Sequence, residues 1–113
     1  MSPKNTSAHD LPPSPIANLE RLGRNIRNAR KLRGLSMQDL ATRAMTTRET
    51  IRRLEAGHPG VSIGVLAHVL WVLQLDVQLG RIAALEHDDL GRAMAVSRLP
   101  QRIATEKNDD LDF

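Results

Sequence analysis

At 113 residues the chain is long enough for one small domain with tails. Hydrophobic residues make up 41% but aromatics only 2%, and cysteine is absent, so a core must be aliphatic and there is neither a disulfide framework nor a thiolate metal site or nucleophile. The formal charge of +3 is small, but residues 20–55 hold ten Arg/Lys against four acids, a balance of +6, while residues 86–113 hold four against seven, a balance of −3.

Residues 1–15, rich in proline, serine and asparagine, read as a disordered arm with no apolar leader. From about Ile16 a helix begins, with Leu19, Leu22, Ile26 and Ala29 recurring at helical spacing, and Gly34 stops it. Ser36 then caps a short second helix, with Asp39 three residues on to answer it, and Leu40, Ala41 and Ala44 give that helix one apolar face. A third helix starts from a cap at Thr46 or Thr47, carries Ile51 and Leu54 toward the core, and closes at Gly57. His58-Pro59-Gly60 is a turn by composition. Ser62 caps a fourth helix to about Leu73 that is apolar around much of its circumference and calls for burial on more than one side, naturally at a subunit interface. Asp76 opens a fifth helix with Val77, Leu79, Ile82, Ala83 and Leu85. His87-Asp88-Asp89 reads as a turn and cap before a sixth helix over about 89–97, with Leu90 and Met94 inward, and Pro100 ends it. Residues 101–113 lose periodicity and form an acidic flexible tail. The longest apolar-rich stretch, 65–75, is too short to cross a membrane, and the lack of cysteine suits a reducing cytoplasm.

The second and third helices, separated by a tight turn, have the pattern of a helix-turn-helix, with the third presented to a DNA major groove. The basic excess coincides with this motif, as phosphate binding requires. Thr47, Arg48, Glu49 and, one turn on, Arg52 or Arg53 stand where side chains reach base edges. The Arg48 fork matches guanine O6 and N7 together, and Glu49 can accept from cytosine N4 or orient a neighbouring arginine. Arg53, four residues from Glu49, has an intrahelical ion pair as its alternative. Ser36 and Gln38 lie at a helix start suited to phosphate, with Arg43 and Arg27 as further phosphate candidates. Leu70, Trp71, Leu79 and Ile82 are candidates for a dimer or partner interface; packing beneath the sixth helix is the other reading of Trp71. The four histidines lack ligand spacing, and no nucleophile–base pair, phosphate-cradling loop or paired carboxylates occur, so neither an enzyme, a metal nor a cofactor is expected.

Residues from about 19 to 80 resemble the Cro/phage-repressor (XRE) helix-turn-helix domains. The resemblance runs through Leu22-Gly23-x-x-Ile26, Gly34-Leu35-Ser36, Asp39-Leu40-Ala41, Thr47-x-x-Thr50-Ile51-x-x-Leu54-Glu55-x-Gly57 and the apolar helix after Ser62. It implies an all-α fold: a lambda-repressor-like five-helix bundle over 16–86, here with a short helical extension over 87–100. It also implies an Arg30–Glu55 ion pair joining the first helix to the end of the third. The segment from Leu79 to Ile103, through Leu79-x-x-Ile82-x-x-Leu85 and Arg98-Leu99-Pro100-x-Arg102, resembles the extension of HipB-type antitoxins. The resemblance implies a homodimeric repressor bound to a double-stranded DNA operator, autoregulating a toxin–antitoxin operon and binding a HipA-like kinase. The alternatives are a phage- or host-type repressor with no toxin partner, and an interaction module that has lost DNA binding. Two departures favour the latter: Met37 stands where relatives often carry a phosphate-touching Gln, and Met45 where the turn commonly has Gly.

Overall fold

The structure, a computed structural model, describes residues 10–98. Among them every regular element is helical, and they fall into two units divided after Leu79. The first unit holds α1 (Pro13–Leu32), α2 (Met37–Arg43), α3 (Arg48–Glu55), α4 (Ile63–Val72) and the single turn α5 (Asp76–Leu79).

Hydroxyl caps start three of these helices. Ser36, Thr47 and Ser62 each accept the backbone N–H three residues on, from Asp39, Thr50 and Val65. The cap of α3 is therefore Thr47 and not Thr46. At α2 the box is complete, because the Asp39 carboxylate accepts the Ser36 N–H at 3.0 Å. The Ser36 backbone and hydroxyl bonds hold the Asp39 carboxyl below the ordinary carboxylate range. Its contribution to stability is thus present above that range and is lost as the pH falls through the lowered value.

A single device ends α1 to α4. In each, the second residue past the cap donates its N–H to the carbonyl five residues back: Leu35 to Arg30, Thr46 to Ala41, His58 to Arg53 and Leu75 to Leu70. The residue between is left-handed in every case. It is Gly34 and Gly57 in two of them, but Met45 (φ 55°) and Gln74 (φ 63°) in the others. A side chain in that conformation costs roughly 1–2 kcal/mol. Met45 is 84% exposed, so its removal forfeits almost no burial. Met45→Gly is expected to stabilise the protein by about 0.5–1 kcal/mol, the released strain less the added freedom of the unfolded chain. A urea midpoint that stayed put or fell would show the turn to be unstrained.

The core is small and aliphatic. Ile26 of α1, Leu40, Ala41 and Ala44 of α2 and its cap, Ile51 and Leu54 of α3, and Val69, Leu70 and Leu73 of α4 and its cap form one buried cluster. Leu22, Ala29, Leu35, Met37, Val65, Leu66 and Leu79 pack around it. Met37 thus serves the core, whatever its counterpart does in related domains. Gly23 is where α1 meets the end of α3: a Cβ there would lie 2.7 Å from the Glu55 carbonyl carbon and 2.8 Å from the Leu54 carbonyl oxygen, and closer still to the Glu55 oxygen. The two backbones touch with no room for a side chain.

Two expected helix bounds need correction. The first helix starts at Pro13 and not about Ile16, because Pro13 and Pro15 fall in the first turn, where a missing N–H costs nothing. Residues 1–9 of the expected arm lie outside the described residues. The fifth helix does not run on to Leu85: it stops at Leu79, Gly80 follows, and Ala83 is left-handed at φ 65°.

In the second unit, a 3₁₀ turn over Leu85–His87 leads to a helix over 89–98. Asp88 caps it by accepting the Gly91 N–H at 2.8 Å, and Arg92 pairs with Asp89. Leu90 and Met94, expected inward, are exposed, as are Ile82, Leu85 and Val96. Nineteen described residues with one helix of under three turns cannot enclose them. The expected acidic tail, and Leu99-Pro100-x-Arg102 of the extension, lie outside the described residues.

Candidate nucleic-acid interface

The third helix is two turns long, and its placement is fixed from the buried side. Ile51, Leu54 and Glu55 face inward. Arg30 Nε donates to Glu55 Oε2 at 2.6 Å and its Nη2 to Oε1 at 3.0 Å, while Nη1 reaches the Leu35 carbonyl at 2.9 Å. The two side chains are 7% and 3% exposed. Glu55 raises the already high pKa of Arg30, so the guanidinium stays charged wherever the fold survives. One side chain thereby ties together the end of α1, the entrance to α2 and the end of α3, and no buried side-chain polar atom in the described residues lacks a partner.

The outward side of α3 carries long polar groups. Arg48, at the first helical position, is exposed and makes no hydrogen bond or ion pair with the described residues. Thr47 is committed to its own helix, because Oγ1 accepts the Thr50 N–H and meets Thr50 Oγ1 at 2.9 Å. Glu49 is paired, with Arg52 as the partner and not Arg53: Arg52 Nε donates to Oε1 at 2.9 Å and Nη2 to Oε2 at 2.6 Å. These bonds hold the Glu49 carboxyl below its usual range and raise Arg52. Arg53 reaches instead to the turn after the helix. Its Nη2 lies 3.2 Å from His58 Nδ1 and 3.4 Å from Nε2. Near-equal distances to both ring nitrogens put the guanidinium over the face of the ring, since an in-plane approach would strike Cε1. His58 Nδ1 accepts the Gly60 N–H at 2.8 Å, which anchors the ring. Composition alone marks His58 only as a turn residue; the helix stop that swings the chain back beneath Arg53 is what brings the two together.

At the start of α2, Ser36 has both its N–H and its hydroxyl lone pair engaged with Asp39, whose charge occupies the helix start. Gln38 donates to Thr42 Oγ1 at 3.2 Å. Arg27 and Arg43 are exposed. Of the interface candidates, Leu70 is a core residue at 7% exposure, and Leu79 packs against that core. An all-round apolar helix does not announce which of its sides meets its own domain, and Leu70 is on that side. Trp71 is 62% exposed and tilted against His68, with ring centroids 5.8 Å apart. Trp71, Val72, Gln74 and Arg43 line a shallow depression. Ile82 of the second unit is exposed. Among the described residues no helix is long and apolar enough to cross a membrane, and no three His, Asp or Glu gather to hold a metal.

A helix-turn-helix family model, of the XRE type, matches residues 26–76, from the core face of α1 to the start of α5. Comparison with curated proteins and with solved structures finds no match. The paired helices α2 and α3, with their intervening turn, are thus a helix-turn-helix by geometry and by family pattern, the pattern of DNA-binding transcription regulators.

Proposed function

We propose that this helix-turn-helix reads double-stranded DNA in sequence-specific fashion as a transcriptional repressor, acting as a homodimer on a two-part operator. The observation that carries the reading is an exposed, arginine-bearing α3 fixed from behind by a buried ion pair, with the Arg48 fork unengaged by any of the described residues. Arg48 and Glu49 read base edges, Arg53 follows one turn on, and Ser36, Gln38, Arg43 and Arg27 meet phosphates. The basic balance of residues 20–55 supports that assignment. Met45, exposed at the turn, leaves α2 and α3 packed together, so its departure from the family pattern does not argue against DNA binding.

Within that role the chain is an antitoxin of a HipBA-like operon, which represses its own transcription and binds a HipA-like kinase. The likeness of residues 79–103 to such antitoxins supports this, and so do the exposed apolar side chains of the second unit, which are suited to a protein partner.

The test begins with enrichment of a binding site from random duplexes, followed by titration across a salt series. Phosphate contacts release counterions, so affinity is expected to fall steeply as salt rises. Arg48→Ala is expected to weaken the enriched site by about tenfold or more, with little change on unrelated DNA, because a bidentate base contact is worth roughly 1–3 kcal/mol. Binding indifferent to salt, or an Arg48→Ala protein as tight and selective as its parent, would sink the DNA assignment. Co-purification with a kinase from the neighbouring reading frame selects the antitoxin role; a chain that represses with no such partner is the plain repressor.

A further inference from the structure

We infer that Arg52 is a positioning residue: it fixes the carboxylate of Glu49, and the fixed carboxylate selects cytosine at one position of the DNA site. The inference rests on the DNA-reading role proposed above and assigns what one part of that face recognises.

The geometry starts from the buried side of α3. With Ile51, Leu54 and Glu55 inward and about 100° of rotation per residue, Glu49 points within about 15° of straight outward, whereas Arg52 is turned about 75° to one flank. The acid, and Arg53 within about 25° of straight outward on its other side, are therefore aimed into a groove, and Arg52 stands beside the acid. Alone, an outward carboxylate would be repelled by the phosphates on either wall. The Arg52 fork removes that obstacle by neutralising it, and does so in a fixed plane, using Nε and Nη2 on the two oxygens. Each oxygen keeps an accepting lone pair. The same bonds keep the carboxyl ionised into acid conditions, so the acceptor persists.

A pinned acceptor with two oxygens discriminates by what lies opposite. Guanine presents O6 and N7, both acceptors; thymine presents O4 and a methyl group; adenine sets its N7 acceptor beside its amino group. Cytosine offers its N4 amino group with no acceptor on its own groove edge, where C5–H stands in place of adenine's N7, and so it satisfies the carboxylate with the least opposition. Exclusion of water as the helix enters the groove strengthens the pair, which solvent screens in the free protein.

Enrichment from random duplexes with the full chain tests this. The parent is expected to select cytosine at one position of each half-site. Glu49→Gln and Arg52→Gln are both expected to lose that preference by about tenfold at that same position, keep the preferences elsewhere, and do no more together than either does alone. Arg52→Lys keeps the charge but not the fork, and is expected to lose the preference too. All three substitutions are on exposed side chains, and unchanged melting temperatures would exclude a folding effect. A loss at a different position with Arg52→Gln would mean that Arg52 reads a base itself and would overturn the inference. So would full retention by Arg52→Lys, strictly additive losses in the double variant, or the absence of any cytosine preference. If the parent enriches no site at all, it is the DNA-reading role that falls, and this inference with it.

Discussion

Gly23→Ala is expected to destabilise the first unit by about 2 kcal/mol or more, although alanine is the better helix former. Gly23 lies in the middle of α1, where the exchange alone would gain about 1 kcal/mol. Against that stands the contact with the last turn of α3. The added methyl would meet backbone atoms of Leu54 and Glu55 well inside van der Waals range, and backbone cannot turn aside as a side chain can. Relief requires α1 and α3 to separate, which opens the layer of Ile26, Ile51 and Leu54 between them. Chemical denaturation decides the sign: a stabilised Gly23→Ala protein would mean that the two helices are free to move apart. On the DNA-reading role proposed above, α3 is the reading element, so DNA affinity should fall with stability while the preferred bases stay the same.

Glu55→Ala carries the second large effect. It leaves the Arg30 guanidinium almost fully buried without its charge partner, and breaking such a pair costs about 3–5 kcal/mol. Arg30→Ala should cost a similar amount and also strips the Leu35 carbonyl of its donor. The double replacement Arg30→Met with Glu55→Leu separates the charge penalty from the packing, and is expected to regain most of the loss because apolar groups of similar size need no desolvation. If Glu55→Ala melted with the parent protein, the pair would be ornamental. If the double replacement were as unstable as the single ones, the pair's geometry rather than its burial would be what fixes α3. Neither residue faces outward, so on the proposed role the restored double variant should bind the same DNA sequence as the parent.

How much of this was legible in the sequence differs by region, for physical reasons. Leu40, Ala41, Ile51 and Leu54 recur at helical spacing between strong caps and stops, so pattern and burial coincide. The all-α fold follows from such local signals. Leu70 was legible as apolar but not as inward, because α4 offers apolar groups on every side. The run Val77, Leu79, Ile82 has the spacing of a helix, yet Gly80 breaks it and Ala83 turns left-handed, which an alanine gives no warning of. On α3 the spacing allows Glu49 either Arg52 or Arg53. The choice fell to Arg52 because His58, brought round by the turn at Gly57, engages Arg53. Contacts that depend on where a chain returns after a turn cannot be counted off along it.

The left-handed Met45 and Gln74 bear on how such a domain can change its target over generations. On the proposed reading, new base preferences come from substitutions on α3, and many of these weaken a two-turn helix. A single glycine at either turn would offset a loss of that size without touching the core, the buried pair or the reading face. The route to altered recognition therefore passes through two turn positions outside α3 itself, and a Met45→Gly background should tolerate a wider set of α3 sequences than the parent does.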